Sequence, residues 1–288
     1  MKHGICLTAI YQKAVYNSNL LVQLIQNVRK QKLFQCVEIY FEGSEEEERK
    51  INMTLTENGI TAVYPGGLPM KRDGIDISAK SNLMRKESVD CVKHHIDHAI
   101  RIGCSKIVVV SGPAWHEQNC EQEIVEQTRK SLKELDEYCR GTSLQISLEP
   151  FPVKTAPCLA IGETKLVHSI FQSSNFQNVG ITFDTSHVAQ LGEEVEKSFQ
   201  LLRPWIHHLH LANCVIKDQT NPLYGDQHPI FLQKDGEFGL ESIRSFYQKL
   251  LLQGMLDPVD ICSLEIISRG NEDKYYMETC REAEYIWK

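Results

Sequence analysis

The sequence predicts an α/β protein built as a (β/α)₈ barrel, or TIM barrel, with residues 1–288 forming a single domain. Short apolar runs rich in β-branched residues alternate with amphipathic helical stretches along the whole chain, and a strand comes first. The length of 288 residues lies within the range of one such barrel. An open doubly wound sheet is the alternative, and it is disfavoured because no G-x-G-x-x-G motif follows the first strand.

Eight apolar runs are strand candidates, at residues 4–10, 36–41, 60–66, 106–112, 144–150, 179–187, 206–213 and 261–267. Helical periodicity fills the stretches between them. The first helix is expected to begin behind Asn17 or Ser18, and a later one to end on Gly103. Two strand-to-helix connections are long, at 66–87 and 214–237. In a barrel these connections emerge on the catalytic face, so we expect both to cover the site.

Composition and charge narrow the range of partners. The chain has 31 Lys and Arg against 38 Asp and Glu, a formal net charge of −7, so we expect no nucleic-acid partner. No segment approaches the roughly 18 apolar residues of a membrane span, and no signal peptide is predicted. The ten cysteines form no C-x-x-C pair, which is typical of reduced thiols. These patterns predict a soluble, cytoplasmic protein that binds no membrane; homo-oligomerisation is left open.

Polar residues alternate with apolar ones in the last four predicted strands. The polar residues nearest the C-terminal ends of these strands are Glu149, Asp184, His210 and Glu265. Successive side chains of a strand point to opposite faces, and the helix-facing side of a barrel is apolar. These four side chains should therefore point into the barrel near its mouth. By the same alternation, His208 is expected one layer deeper and His207 on the helix-facing side.

Three carboxylates that converge in a buried cavity raise one another's pKa sharply unless a positive charge compensates them. A divalent cation is the simplest compensation, and mixed carboxylate and imidazole ligands suit Mn²⁺, Mg²⁺, Co²⁺ or Zn²⁺. We therefore predict one divalent metal ion per chain, held by Glu149, Asp184, His210 and Glu265. His187, three residues beyond Asp184, is expected to overhang the same site.

Four segments in the second half of the chain resemble a known family. They are LEP at 148–150, FDTSH at 183–187, HLHLAN at 208–213 and SLEI at 263–266. In this order they resemble the xylose isomerase-like barrels, the sugar phosphate isomerase/epimerase group. In the ketose 3-epimerases of that group, one divalent metal is held by Glu, Asp, His and Glu from strands five to eight. Those ligands match Glu149, Asp184, His210 and Glu265 here.

The resemblance implies proton transfer next to the carbonyl of a sugar or sugar phosphate, through an enediolate. Glu149 and Glu265, on opposite sides of the cavity, would be the catalytic base and acid. Asp184 and His210 would mainly hold the metal, which stabilises the developing oxyanion. His187 would orient a substrate oxygen, as the second member of the family's D-x-x-H pair.

Further substrate contacts are expected from the loops. Asp226 and His228, in the connection after the seventh strand, loosely match the family's substrate loop. Trp115 and His116 follow the fourth strand and are expected to wall the pocket. Lys217, on the long seventh connection, is a candidate contact for a phosphate.

Two positions depart from the epimerases. Thr155 stands where they carry a second Glu, and Ile216, with Lys217 beside it, stands where they carry an Arg. The substrate contacts have therefore changed, and no particular ketose is implied. The same barrel is shared by dehydratases for an inosose or a keto acid and by hydroxypyruvate isomerases, and these activities remain open.

Two other classes of function compete with this interpretation. Endonuclease IV, a metal-dependent phosphodiesterase, shares the barrel and most of this cluster. Its trinuclear site also needs His near the ends of strands three and four, where this chain has VYPGG and VVVSGP. A barrel that binds a sugar without catalysis is the third alternative, and the paired carboxylates beside a metal set argue against it.

Overall fold

A closed barrel of eight parallel strands lies at the centre of the computed structural model, which describes residues 1–115, 120–155 and 158–288. Each strand pairs with the next, and β8 pairs with β1 to close the barrel. The strands are β1 Lys2–Cys6, β2 Cys36–Glu38, β3 Thr61–Pro65, β4 Lys106–Val109, β5 Gln145–Leu148, β6 Val179–Asp184, β7 Ile206–Ala212 and β8 Ile261–Glu265. The predicted (β/α)₈ barrel is therefore confirmed.

Helices surround the barrel and connect its strands. They are α1 Leu7–Ile10, α2 Ser18–Gln31, α3 Glu45–Asn58, α4 Gly67–Arg72, α5 Asn82–Ile102, α6 Glu121–Tyr138, α7 Thr164–Gln172, α8 Thr185–Gln190, α9 Val195–Leu202, α10 Leu240–Leu252 and α11 Glu272–Trp287. Short 3₁₀ helices cover Gln12–Tyr16 and Arg203–Trp205. Among the described residues, no helix combines the length and the apolar character needed to cross a membrane.

The helix ends follow local side-chain chemistry. The Asn17 side chain accepts a hydrogen bond from the Leu20 amide at 3.0 Å and caps α2, as the sequence predicted. Gly103, with φ of 91°, ends α5 in the left-handed conformation that glycine adopts without strain. Both predicted helix boundaries are confirmed.

Several strands are shorter than their apolar runs. The run at 4–10 was expected to be one strand, yet β1 ends at Cys6. The last four residues of the run, 7–10, form α1. The run at 179–187 ends as a strand at Asp184, whose side chain accepts hydrogen bonds from the Ser186 and His187 amides and so caps α8. Apolar periodicity alone does not distinguish a buried strand from the buried turn of helix that follows it.

Inside the barrel, an apolar cluster formed by Cys36, Val63, Val108 and Ile261 fills part of the interior. The larger core lies between the barrel and its helices, where the outward-facing residues of the strands are fully buried. A barrel interior packed in this way is a solid support rather than a pore. The polar side chains at the C-terminal ends of the strands therefore lie above a packed layer of the barrel interior.

His207 does not face the helices, so that prediction was wrong. The pairing of β6 with β7 shifts between Ile181 and Thr182, and this irregularity breaks the alternation of β7. The His207 ring instead reaches the buried Lys106 of β4, whose Nζ lies 2.8 Å from Nδ1. Lys106 also pairs with Asp260 at 2.9 Å. A bulge cannot be read from the period of the sequence.

Gly180 makes room for the His207 ring, and this leads to a stability prediction. A Cβ at Gly180 would lie 1.9 Å from ring atoms of His207 and 2.8 Å from the Trp205 carbonyl oxygen. Gly180→Ala is therefore expected to destabilise the fold by about 1–3 kcal/mol, the usual cost of overpacking. Thermal unfolding measures the change. Gly239→Ala is the matched control because no atom lies within 4 Å of its added Cβ, and equal melting temperatures for both variants would contradict the prediction.

Candidate active site

The four predicted metal ligands lie together at the C-terminal mouth of the barrel. His210 Nδ1 is 3.1 Å from Glu149 Oε1, 2.8 Å from Glu265 Oε2 and 3.7 Å from Asp184 Oδ2. One ligand atom from each residue lies within 4.8 Å of all the others. The imidazole nitrogen is thus surrounded by three carboxylates, each from a different strand end.

The two carboxylate oxygens of Asp184 have different environments. Oδ1 accepts hydrogen bonds from the Ser186 amide at 2.7 Å, the Ser186 hydroxyl at 2.6 Å and the His187 amide at 3.0 Å. Oδ2 is buried and accepts no hydrogen bond from the part of the chain that the structure describes. Buried carboxylate oxygens without donors are costly unless a cation satisfies them. Their chemistry and spacing fit a divalent ion.

Glu38, at the end of β2, is a residue of this site that the sequence analysis missed. Its Oε1 lies 3.1 Å from His210 Nε2, on the opposite side of the ring from the other carboxylates. A carboxylate at this position holds the proton on Nε2 and leaves the Nδ1 lone pair free to bind a metal. The signal was present in the run CVEIYF, where Glu38 shares its phase with Cys36 and lies near the end of the second predicted strand.

Below Glu38 a chain of hydrogen bonds crosses the barrel. His208 Nε2 lies 3.0 Å from Glu38 Oε1, and His208 Nδ1 lies 3.1 Å from the Thr182 hydroxyl. The Thr182 hydroxyl in turn donates to Ser147 Oγ at 2.6 Å. His208 is fully buried and inward-facing, one layer below His210, as the alternation of β7 predicted. This chain fixes the orientation of Glu38.

The charges of the cluster act on one another. Burial raises the pKa of Glu149, although the nearby His210 opposes the rise. Burial also acts to raise the pKa of Glu265, but the imidazoles of His228 and His210 outweigh it and hold that pKa at about 2. Two carboxyl groups whose pKa values are pushed apart are typical of an acid and base pair.

A second cluster lies beside the first. Asp226 Oδ1 is 3.0 Å from His187 Nε2 and 2.6 Å from His228 Nε2, and the three ligand atoms lie within 4.8 Å of one another. Burial opposes protonation of both imidazoles, but the carboxylates near them raise the pKa of His187 to about 9 and that of His228 to about 10. The contact of Asp226 with His187 therefore joins the seventh connection to α8, the helix that follows β6.

A cavity of about 530 Å³ opens above the first cluster. Both long connections contribute to its wall, the first through Leu68 and Lys71 and the second through Asp226 and His228. His187 does not line this cavity, because its ring packs against Phe151 at 4.0 Å between centroids and faces Asp226. His187 is therefore placed to position Asp226, whereas the sequence predicted that it contacts the substrate directly.

Two other predicted substrate residues lie away from the cavity. Lys217 is exposed and pairs with Glu237 at 3.3 Å, because Val215 pairs with residues 224 and 225 and folds the segment back on itself. Trp115 packs against the core with Lys80 over its ring at 5.9 Å, since the Pro113–Leu159 bridge draws this stretch towards the loop after β5. His116 lies outside the described residues.

The sequence of the chain, like its barrel, is similar to that of known proteins. The sequence signature of the xylose isomerase-like TIM barrel family matches residues 29–281. The chain belongs to the xylose isomerase-like TIM barrel family. The resemblance inferred from the four strand-end segments is thereby confirmed. No protein of curated function matches the chain by sequence.

Solved structures share this fold at low sequence identity. A D-psicose 3-epimerase with D-tagatose from Clostridium cellulolyticum H10 is 15% identical, with a TM-score of 0.66 over 100% of this chain and 97% of that one. The IOLI protein with a bound zinc atom is 17% identical, with a TM-score of 0.71 over 100% and 96%. A probable 3-DHS dehydratase, AsbF from Bacillus anthracis, is 18% identical, with a TM-score of 0.68 over 100% and 99%.

Removing the charge of Glu38 tests whether this carboxylate helps His210 to bind a metal. Glu38→Gln keeps the shape of the side chain but loses the negative charge beside Nε2, so we expect metal affinity to fall about 10- to 100-fold. Competition with a chromophoric chelator measures that affinity. Glu48→Gln is the matched control because Glu48 is also a buried carboxylate beside a histidine, His98, but lies outside the barrel. Wild-type affinity in Glu38→Gln would contradict the assignment.

Proposed function

We propose that this protein is a metal-dependent isomerase or epimerase that moves a proton next to the carbonyl of a sugar or sugar phosphate. The observation that carries the proposal is the pair Glu149 and Glu265, which line one cavity and lie 3.1 and 2.8 Å from His210 Nδ1. Membership of the xylose isomerase-like family and the similar epimerase structure support it. The partner is then a small molecule, with no role for nucleic acid or membrane.

We propose Glu149, Asp184, His210 and Glu265 as the ligands of one divalent ion, because one carboxylate oxygen of each acid and one ring nitrogen of His210 lie within 4.8 Å of one another. Mn²⁺, Mg²⁺, Co²⁺ and Zn²⁺ all suit these ligands. When bound, such an ion supplies a positive charge that stabilises an oxyanion developing on the substrate.

The chain's own residues would handle the proton. Glu149 and Glu265 come from β5 and β8 and approach the cavity from different sides, so one removes a proton from a carbon while the other returns it. Asp226 and His228, which line the cavity, would orient a substrate hydroxyl. The surrounding apolar side chains would exclude water from the reacting carbon.

Solvent exchange tests the reaction class. The metal-replete protein is incubated in D₂O with ketoses, ketose phosphates and inososes, and deuterium incorporation is followed by NMR. We expect deuterium at one carbon next to the carbonyl of one substrate class. Loss of water from an inosose would instead identify a dehydratase, the alternative that the AsbF-like fold supports.

A phosphodiesterase like endonuclease IV is the second candidate function. The cluster of His187, Asp226 and His228 favours it, because this cluster has the residue types of a second metal site. Strands β3 and β4, both fully described, carry no histidine for a third ion. Elemental analysis that finds one ion per chain, with no cleavage of DNA containing an abasic site, would exclude this candidate; two ions and cleavage would support it.

A further inference from the structure

The cavity has two chemically different halves. The polar half contains the carboxylates and imidazoles already described. The other half, which we name the apolar wall, lies beside the ends of β1, β2 and β3 and is formed by Ala9, Val15, Tyr16, Tyr40, Pro65 and Leu68. A hydroxyl group buried against the apolar wall would find few hydrogen-bond partners there, and each buried hydroxyl without one costs free energy.

Three polar groups near the apolar wall are already engaged. The Tyr40 hydroxyl donates to Glu42, so Tyr40 presents its ring and not its hydroxyl. Arg72 pairs with Glu42 and with Asp73, the latter at 2.7 Å. The Thr8 hydroxyl accepts a hydrogen bond from the Tyr40 amide at 3.2 Å. A hydroxylated carbon chain placed here would give up water for few new hydrogen bonds.

The rim of the apolar wall is open to solvent. Tyr16 is 69% exposed and Leu68 is 62% exposed, and both line the cavity. Lys71, from the helix that carries Leu68, extends over the Phe151 ring at 4.7 Å and so covers a further aromatic surface of the cavity. Large apolar side chains exposed at the mouth of a cavity mark a surface that a ligand covers.

We infer that the substrate carries an apolar group, about the size of an aryl ring, which packs against the apolar wall while its hydroxyketone unit lies in the polar half. The cavity volume of about 530 Å³ supports this size, because it lies in the range of pockets that bind ligands larger than a simple sugar. The inference rests on the proposed function for the hydroxyketone unit alone. The apolar wall selects the substituent.

Two small α-hydroxyketones test the inference. Hydroxyacetone and 2-hydroxyacetophenone differ in one substituent, a methyl group against a phenyl ring, and their affinities for the metal-replete protein are measured by NMR titration. We expect the phenyl compound to bind at least about tenfold more tightly, because the larger ring buries several more apolar carbons. Equal affinities, including no detectable binding of either compound, would overturn the inference.

Variants locate the effect. Leu68→Gln is expected to weaken binding of 2-hydroxyacetophenone by about three- to tenfold and to leave hydroxyacetone unchanged. Leu252→Gln is the matched control, since Leu252 is also an exposed leucine, 85% exposed on α10. Equal effects of the two substitutions would overturn the placement at the apolar wall.

Repeating the titration after metal removal separates this inference from the proposed function. The preference for the phenyl compound should persist without metal, because the apolar wall contains no metal ligand. If the protein bound no metal but kept the preference, the proposed function would fail and the apolar site would stand. If the protein bound metal but showed no preference for the phenyl compound, the apolar site would fail and the proposed function would stand.

Discussion

Glu149→Gln is expected to lower the rate of solvent deuterium incorporation by about 10²–10⁴-fold, because the amide cannot take up or release the proton. Glu149 is 6% exposed, so little solvent can replace its carboxylate. The substitution keeps an oxygen beside His210 and should weaken metal affinity only modestly. The rate is therefore compared at saturating metal, with metal content measured in the same sample.

Glu282→Gln is the control for this experiment. Glu282 is also a buried carboxylate, but it lies on α11, away from the cavity, and accepts a hydrogen bond from the Leu232 amide at 2.9 Å. We expect its variant to keep the wild-type rate. Full activity in Glu149→Gln would remove that residue from proton transfer and leave Glu265 as the remaining carboxylate of the proposed acid–base pair.

The double variant Asp184→Asn, Glu265→Gln is expected to lose its metal. Two of the three carboxylates near His210 Nδ1 lose their negative charge, and with them goes most of the attraction for a divalent ion. The amide oxygen introduced at position 184 would still accept the α8 capping hydrogen bonds, so the fold should persist. Elemental analysis of protein purified without chelator should change from about one ion per chain to nearly none.

Thermal unfolding gives an independent measure of the same loss. An ion that binds only the folded protein stabilises it, by about 2.7 kcal/mol at a hundred times its dissociation constant. Added Mn²⁺ should therefore raise the melting temperature of the wild type and leave that of the double variant unchanged. Asp136→Asn, Glu282→Gln, which replaces two buried acidic side chains outside the cluster, should respond like the wild type. Equal metal content in both double variants would contradict the ligand assignment.

The barrel and the strands that carry the cluster could be predicted from the sequence alone. Alternation with a period of two placed Asp184 and His210 on the inward side, because strand geometry imposes that pattern wherever one face must be apolar. The order of strands and helices predicted closure, and closure brings the ends of β5 and β8 to one mouth.

The side chains that meet across the barrel could not be predicted without its tertiary structure. The contact between Glu38 and His210 joins β2 to β7, and it depends on how the closed sheet sets the levels of distant strands. The reach of His207 to Lys106 depends on a bulge, which adds a residue that no periodic pattern reveals.

The loops depended on tertiary structure most of all. Asp226 meets His187 because the seventh connection folds over the mouth, whereas Lys217 on the same connection turns to solvent. Trp115 likewise packs beside Lys80 and not in the cavity. A loop's path is set by the surfaces it packs against, and spacing along the chain does not contain that information.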